Sequence, residues 1–111
     1  MSDLSGSGQG VEFGSAVLGA IDEGLLVYGE TVRCALYYSV EAKYRVKREQ
    51  VPDRIEAFHV AMGELCGYGG RVIERLIAKS LYSKLGLDFV EHEDWMLVDY
   101  VKHAKKEYGK P

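Results

Sequence analysis

Between Ala16 and Arg48 the apolar side chains Leu18, Ile21, Leu25, Tyr28, Val32, Leu36 and Val40 recur at intervals of three and four. Such spacing lines one face of an α-helix. The pattern ends before Val51-Pro52, since proline disfavours helical backbone in the residue preceding it. Taken as one element, it predicts a long first helix of roughly 46 Å at 1.5 Å per residue. A compact domain of this chain length has a radius of gyration of only about 13 Å. The rod therefore either breaks at Gly24 or Gly29, or its overhang is covered by another subunit. Ala16, Ala20 and Gly24 form a row of small residues that permits close backbone approach.

Pro52-Asp53 opens a second predicted helix, with Ile55, Phe58, His59, Met62, Leu65 and Cys66 on its apolar stripe and Glu56 favourably placed in its first turn. Gly67 stands where a left-handed C-terminal cap belongs. A third helix runs from Gly70 to Leu85, with Val72, Ile73, Leu76, Ile77, Leu81 and Leu85 facing inward and Arg71, Arg75, Lys79 and Lys84 off that stripe. Its wide apolar face makes it the expected centre of the core. The stretch 88–93 reads as an acidic connector anchored by Phe89 and Val90. Asp94 is the expected N-cap of a last helix bearing Leu97, Val101, Ala104 and Tyr108. The fold class is all-α, about four helices with a long first one, in compact orthogonal or bundle-like packing. Residues 1–15, rich in glycine and serine, read as a flexible tail hooked to the core by Val11 and Phe13. Residues 16–108 form one helical domain, and 109–111 are the C-terminal end.

Composition narrows the function classes. The 111 residues suffice for one domain, and 47% apolar with 28% charged residues is a globular mixture, not a disordered one. A net charge of −3 lacks the overall basic footprint of nucleic-acid binders. Cys34 and Cys66 form neither a disulfide framework nor a metal motif and read as buried free thiols. No apolar run reaches the roughly 20 residues that span a bilayer, and no secretory signal opens the chain, so the expected location is the cytoplasm.

Four features carry candidate chemistry. Gly67, Gly69 and Gly70 ahead of Arg71 have the ingredients of an anion cradle at a helix N-terminus. They lack the preceding strand and the GK[ST] of a phosphate loop, and a bend between helices accounts for them. Lys43, Arg45, Lys47 and Arg48, with Tyr44 interleaved, could grip a nucleic-acid backbone, although cations also suit the C-terminal end of a helix. Tyr37 and Tyr38 are adjacent and cannot share one direction on a helix, which points to a second buried surface suited to tyrosine. His59 reads as a core histidine with one satisfied nitrogen. His92, among Glu91, Glu93 and Asp94, matches no metal-ligand spacing, and His103 reads as a surface residue. No nucleophile, base and oxyanion set assembles, so neither enzyme activity nor a cofactor or metal is expected.

The segments GLLVYGETV, LYYSVE, VPDRIEAF, GELCGYGGRVIE and LYSKLGLDF, within about residues 21–89, resemble small archaeal helical proteins and the NitrOD5 domain, a proposed output domain of thaumarchaeal regulators. VDYV of the last helix adds to the likeness. The chain departs from it at Cys66, where members carry an aromatic. The resemblance implies an archaeal intracellular module, standing alone or forming the effector end of a signalling protein, and it brings no catalytic residues. The expected function is a non-catalytic protein-interaction or signalling-output domain. Its partner is a protein, a second copy included, meeting a face made by Ala20, Gly24, Tyr28, Tyr37 and Tyr38. The alternatives are nucleic-acid binding through the basic stretch and anion or nucleotide sensing at the glycine turn.

Overall fold

The computed structural model describes residues 12–109. Val11 and the rest of the expected tail up to that position lie outside the described residues, as do Lys110 and Pro111. Five α-helices follow one another: α1 Phe13–Leu26, α2 Glu30–Tyr44, α3 Ile55–Cys66, α4 Gly69–Leu85 and α5 Leu97–Tyr108. A short 3-10 helix, Arg48–Asp53, lies between α2 and α3, making six helices, and no strand occurs among the described residues.

The single long first helix is corrected to two. Val27 and Tyr28 form a turn closed by Tyr28 N–H to Leu25 O at 2.9 Å and Gly29 N–H to Leu26 O at 3.1 Å. Gly29 then takes φ 99° and ψ 163°, a conformation that a side chain would strongly oppose. An unbroken rod of roughly 46 Å would have exceeded the molecule's longest dimension, 42 Å. Gly24 does not break the helix. The turn preserves the phase of the apolar repeat, so Leu25 before it and Leu36 after it are both fully buried. α2 also ends earlier than the pattern suggests: Arg45 adopts the left-handed conformation at φ 59°, and Val46, ahead of the 3-10 helix, and Val51, within it, are buried in the core. Pro52 sits inside that helix rather than at the head of α3.

α1 and α4 form the most extensive pairing and run antiparallel, since Gly19 approaches Lys84 while Gly24 lies over Ile77. A Cβ at Gly24 would stand 2.6 Å from Ile77 Cγ1, so even a methyl group there forces the crossing to shift. Around it gather Ile21, Leu25, Phe58, Met62, Ile73, Ile77, Leu81 and Leu97, each nearly inaccessible to water. α4 is thus the central helix, as its pattern predicts, but its inward face is narrower than expected. Ile73, Ile77, Leu81 and Leu85 are buried, whereas Val72 and Leu76 face out, and so does Leu65 of α3.

The connector before α5 folds onto an aromatic cluster. Phe89 packs on Tyr82 and Tyr100 at centroid distances of 5.4 and 5.3 Å, while Val90, the other expected anchor, is exposed. Asp94 does not cap α5. The helix starts at Leu97, and Asp99 Oδ2 accepts the Met96 N–H at 2.8 Å. At the other end of the chain, α1 begins within the expected tail, and Phe13 packs near Tyr108 with 6.3 Å between ring centroids. Cys34 is exposed and Cys66 half-buried, correcting the expectation of two buried thiols.

Candidate functional site

The glycine turn is a bend that uses three of its backbone donors internally. Gly67 N–H reaches Gly63 O at 2.9 Å, Gly70 N–H reaches Gly67 O at 3.0 Å and Arg71 N–H reaches Tyr68 O at 3.1 Å. Gly70 is buried against Met62, where a Cβ would meet Met62 Cγ at 3.0 Å, and Gly69 is the first residue of α4. Arg71 extends toward the connector, its Nη2 3.4 Å from Glu93 O. Beneath the turn lies a small cavity of about 110 Å³ lined by His59, Met62, Gly67, Gly70, Arg71, Glu74 and Met96 among others. Its walls are mostly apolar, and it sets a buried carboxylate against the exposed Arg71 guanidinium.

That carboxylate, Glu74, escaped the sequence reading. It is the one buried charged side chain among the described residues. Its Oε1 accepts the Leu97 N–H at 3.1 Å and its Oε2 pairs with His59 Nδ1. Glu74 therefore ties α3 and α4 to the first amide of α5, where the helix dipole favours negative charge. His59 has one ring nitrogen paired, as expected, but its side chain is a third exposed rather than a core residue.

A second polar junction, also missed, is centred on Asp22. Arg33 Nε and the Tyr37 hydroxyl both donate to Oδ1 at 2.9 Å, and Arg48 Nη2 donates to Oδ2 at 2.5 Å. Both guanidiniums lie over the Tyr37 ring, 5.6 and 5.5 Å from its centroid. Burial opposes ionisation of Asp22 and is the largest single influence, yet the hydrogen bonds from Arg33, Arg48 and Tyr37 together outweigh it and hold the carboxyl below its ordinary range. Burial, with the Asp22 charge beside it, pushes the Tyr37 phenol well above its usual value.

A group whose folded-state pKa is depressed stabilises the fold fully above its unfolded-state value and loses that contribution as the pH falls through its folded-state value. Asp22→Asn is therefore expected to lower stability by about 2 kcal/mol at pH 7, where charged hydrogen bonds are lost. It should also flatten the fall in stability below about pH 4, the ordinary aspartate range. Urea unfolding at several pH values checks both; an unchanged acid limb would refute the role of Asp22.

The junction divides the basic stretch. Arg48 is held by Asp22, and Lys43 Nζ lies 3.3 Å from Glu64. Arg45 and Lys47 instead line an open groove of about 490 Å³ with Tyr38, Glu41 and Ala42. The four cations do not form one stripe, and three acidic side chains stand among them.

The expected interaction face is likewise dispersed. Ala20 and Gly24 are buried against the chain's own core, so the small-residue row serves the α1–α4 crossing rather than an outer surface. Tyr37 is occupied at Asp22, while Tyr28 and Tyr38 point outward. His92 stacks on Trp95 at 3.9 Å, and its neighbour Glu91 pairs with Arg75 at 2.7 Å. No group of three metal-ligating side chains converges among the described residues. No helix there is long and apolar enough to cross a membrane.

A different surface stands out. Glu23 contacts both Ser80 and Lys84 at 2.6 Å, which fixes the side of the α1–α4 seam on which the row Tyr68, Val72, Leu76, Ser80 and Lys84 lies. Steps of three and four from Glu23 lead to Leu26 and Val27, and steps of four back from Ser80 lead to Leu76, Val72 and Tyr68. Tyr68, Val72 and Leu76 follow one another at steps of four and are all exposed, from 37% at Leu76 to 95% at Tyr68. Leu26, Val27 and Leu65 are exposed as well. The one sequence signal for this patch was the width of the α4 apolar arc, which exceeds what a single core-facing stripe needs.

Neither a known protein family, a curated protein sequence nor a solved structure matches the chain.

Proposed function

We propose that this chain is a non-catalytic protein-interaction module whose working surface is the apolar corner formed by Tyr68, Val72 and Leu76 along α4. The observation that carries this reading is the exposure of these three large side chains in one row on otherwise well-packed helices. Rigid helices frame it, so little order has to be gained on docking. Asp22 and Glu74, the ionisable groups most tied into the fold, are spent on joining helices. In the signalling-output role implied by the resemblance to NitrOD5-type modules, the corner is where the module meets the protein it acts on. The likeness also supports an intracellular setting in an archaeon.

A photo-cross-linking amino acid placed at Val72 in living cells is expected to yield discrete protein adducts, and the same group at Lys102 on α5 to yield none. Absence of any protein adduct from position 72 would overturn the reading.

A further inference from the structure

We infer that the occupant of the outer row of α4 is an acidic amphipathic helix of another protein, its apolar side chains seated on Tyr68, Val72 and Leu76 and its carboxylates meeting Arg71, Arg75 and Lys79. It rests on the interaction reading above and names the chemistry of the partner.

Charge is the first indication. Of the chain's 14 basic and 17 acidic side chains, α4 holds four basic ones and a single acid, Glu74, which is buried. A chain of net charge −3 thus concentrates positive charge on one helix whose exposed side chains include no carboxylate. The cations stand beside the apolar row. Successive helix positions turn by about 100°. Tyr68 has helical backbone angles, so Tyr68, Val72 and Leu76 sweep an arc of about 80°. Lys79 falls inside that arc, and Arg75 and Arg71 border it on the side of the connector.

These cations keep capacity for a partner. Lys79 is exposed and has no acidic partner among the described residues. Arg71 reaches a backbone carbonyl, Glu93 O at 3.4 Å, and no carboxylate there. Arg75 pairs with Glu91 at 2.7 Å, yet its side chain stays 39% exposed, and a guanidinium has five N–H donors to share. A second copy of the same row is a poor occupant, since like charges face each other at a steep cost. The dimensions suit one helix. Tyr68 to Leu76 covers about 12 Å in a row one side chain wide, and helical ligands bind through anchors three, four and seven positions apart. A lipid surface matches less well, because a helix lying in a membrane presents a broad apolar face and Lys79 interrupts this one. The other basic surface, the groove at the end of α2, includes Glu41 and offers one large apolar side chain, Tyr38.

Fluorescence anisotropy tests the inference with a labelled helical peptide of about 18 residues, leucines along one face and glutamates elsewhere, and with a twin carrying lysine for glutamate. The glutamate peptide is expected to bind about tenfold or more tighter than the twin, and more weakly as salt rises. Val72→Glu and Lys79→Glu should each weaken it by about tenfold or more while circular dichroism and melting stay unchanged, since both positions are exposed. Lys47→Glu is expected to leave binding unchanged, and phosphatidylglycerol vesicles should not sediment the chain.

No binding of the glutamate peptide, equal binding of the twin, an equal loss from Lys47→Glu and Lys79→Glu, or sedimentation with the vesicles would overturn the inference. Photo-cross-linking from position 72 separates the two failures. With the peptide unbound, a protein adduct in cells removes the acidic helix and keeps the interaction reading, whereas the absence of any adduct removes both.

Discussion

Gly24→Leu is expected to lower the unfolding free energy by about 3 kcal/mol, the upper end of the cost of overpacking a well-filled core. The reason is local and geometric. α1 crosses α4 so closely that even a Cβ at Gly24 would lie 2.6 Å from Ile77 Cγ1, with the Ile77 backbone nitrogen at 3.4 Å and its Cα at 3.5 Å. Ile77 is β-branched and nearly fully buried, so its Cγ1 cannot swing away as a flexible terminus could. The helices must separate, which loosens the largest contact in the fold. Gly24→Ala sets that clash against the roughly 1 kcal/mol that alanine gains over glycine in a helix, and a net loss of about 1 kcal/mol is expected. Gly63 supplies the control. It too is inside a helix, α3, but nothing lies within 4 Å of its missing Cβ. Gly63→Ala is expected to stabilise by about 0.5–1 kcal/mol. Urea midpoints at constant slope measure all three; equal effects at Gly24 and Gly63 would show that the crossing is not sterically limited.

Glu74→Ala is the second large effect, with an expected loss of about 3 kcal/mol: a buried donor left unpaired costs roughly 1–3 kcal/mol, and charged hydrogen bonds are lost with it. The substitution strips the Leu97 N–H of its acceptor and His59 Nδ1 of its partner, and it enlarges the cavity beneath the glycine turn. Glu74→Gln keeps an oxygen for Leu97 and an amide for His59, at the expense of charge, so a loss of only about 1 kcal/mol is expected. Amide hydrogen exchange distinguishes a specific role from general damage. The Leu97 amide should lose protection selectively in the alanine variant and keep most of it in the glutamine variant. Uniform loss across all helices in both variants would refute the assignment of Glu74 as the anchor of α5.

The interaction corner and these two sites differ in how far the chain announces them. Gly24 was readable as a position of close approach, because Ala16, Ala20 and Gly24 share one face, but the partner was not. The same small-residue row serves a second subunit or a neighbouring helix equally well, and only the crossing of α4 over α1 assigns it to the latter. Glu74 and Asp22 were silent for a related reason. A carboxylate on a helix looks like solvated surface until distant donors arrive. Arg48 comes from 26 positions away and Leu97 from 23. Val72 and Leu76 misled in the opposite sense. They share the helical repeat with Ile73 and Ile77, and periodicity reports that an arc is apolar without reporting how much of it neighbours cover.

Read alone, the chain established that it folds as helices, where most of them run, that α4 carries the core, and that the glycines after α3 bend the backbone. These follow from local rules, the three-and-four repeat and the conformations that glycine and proline permit, and they need no knowledge of what lies across the core. The tertiary structure alone decided that the first helix breaks at Gly29, that small residues meet inside rather than outside, that two carboxylates join helices, and that an apolar corner remains uncovered. Each of those depends on which faces meet in space. Side-chain burial is a property of pairs of elements, and a one-dimensional repeat carries the phase of each helix but not the identity of its neighbour.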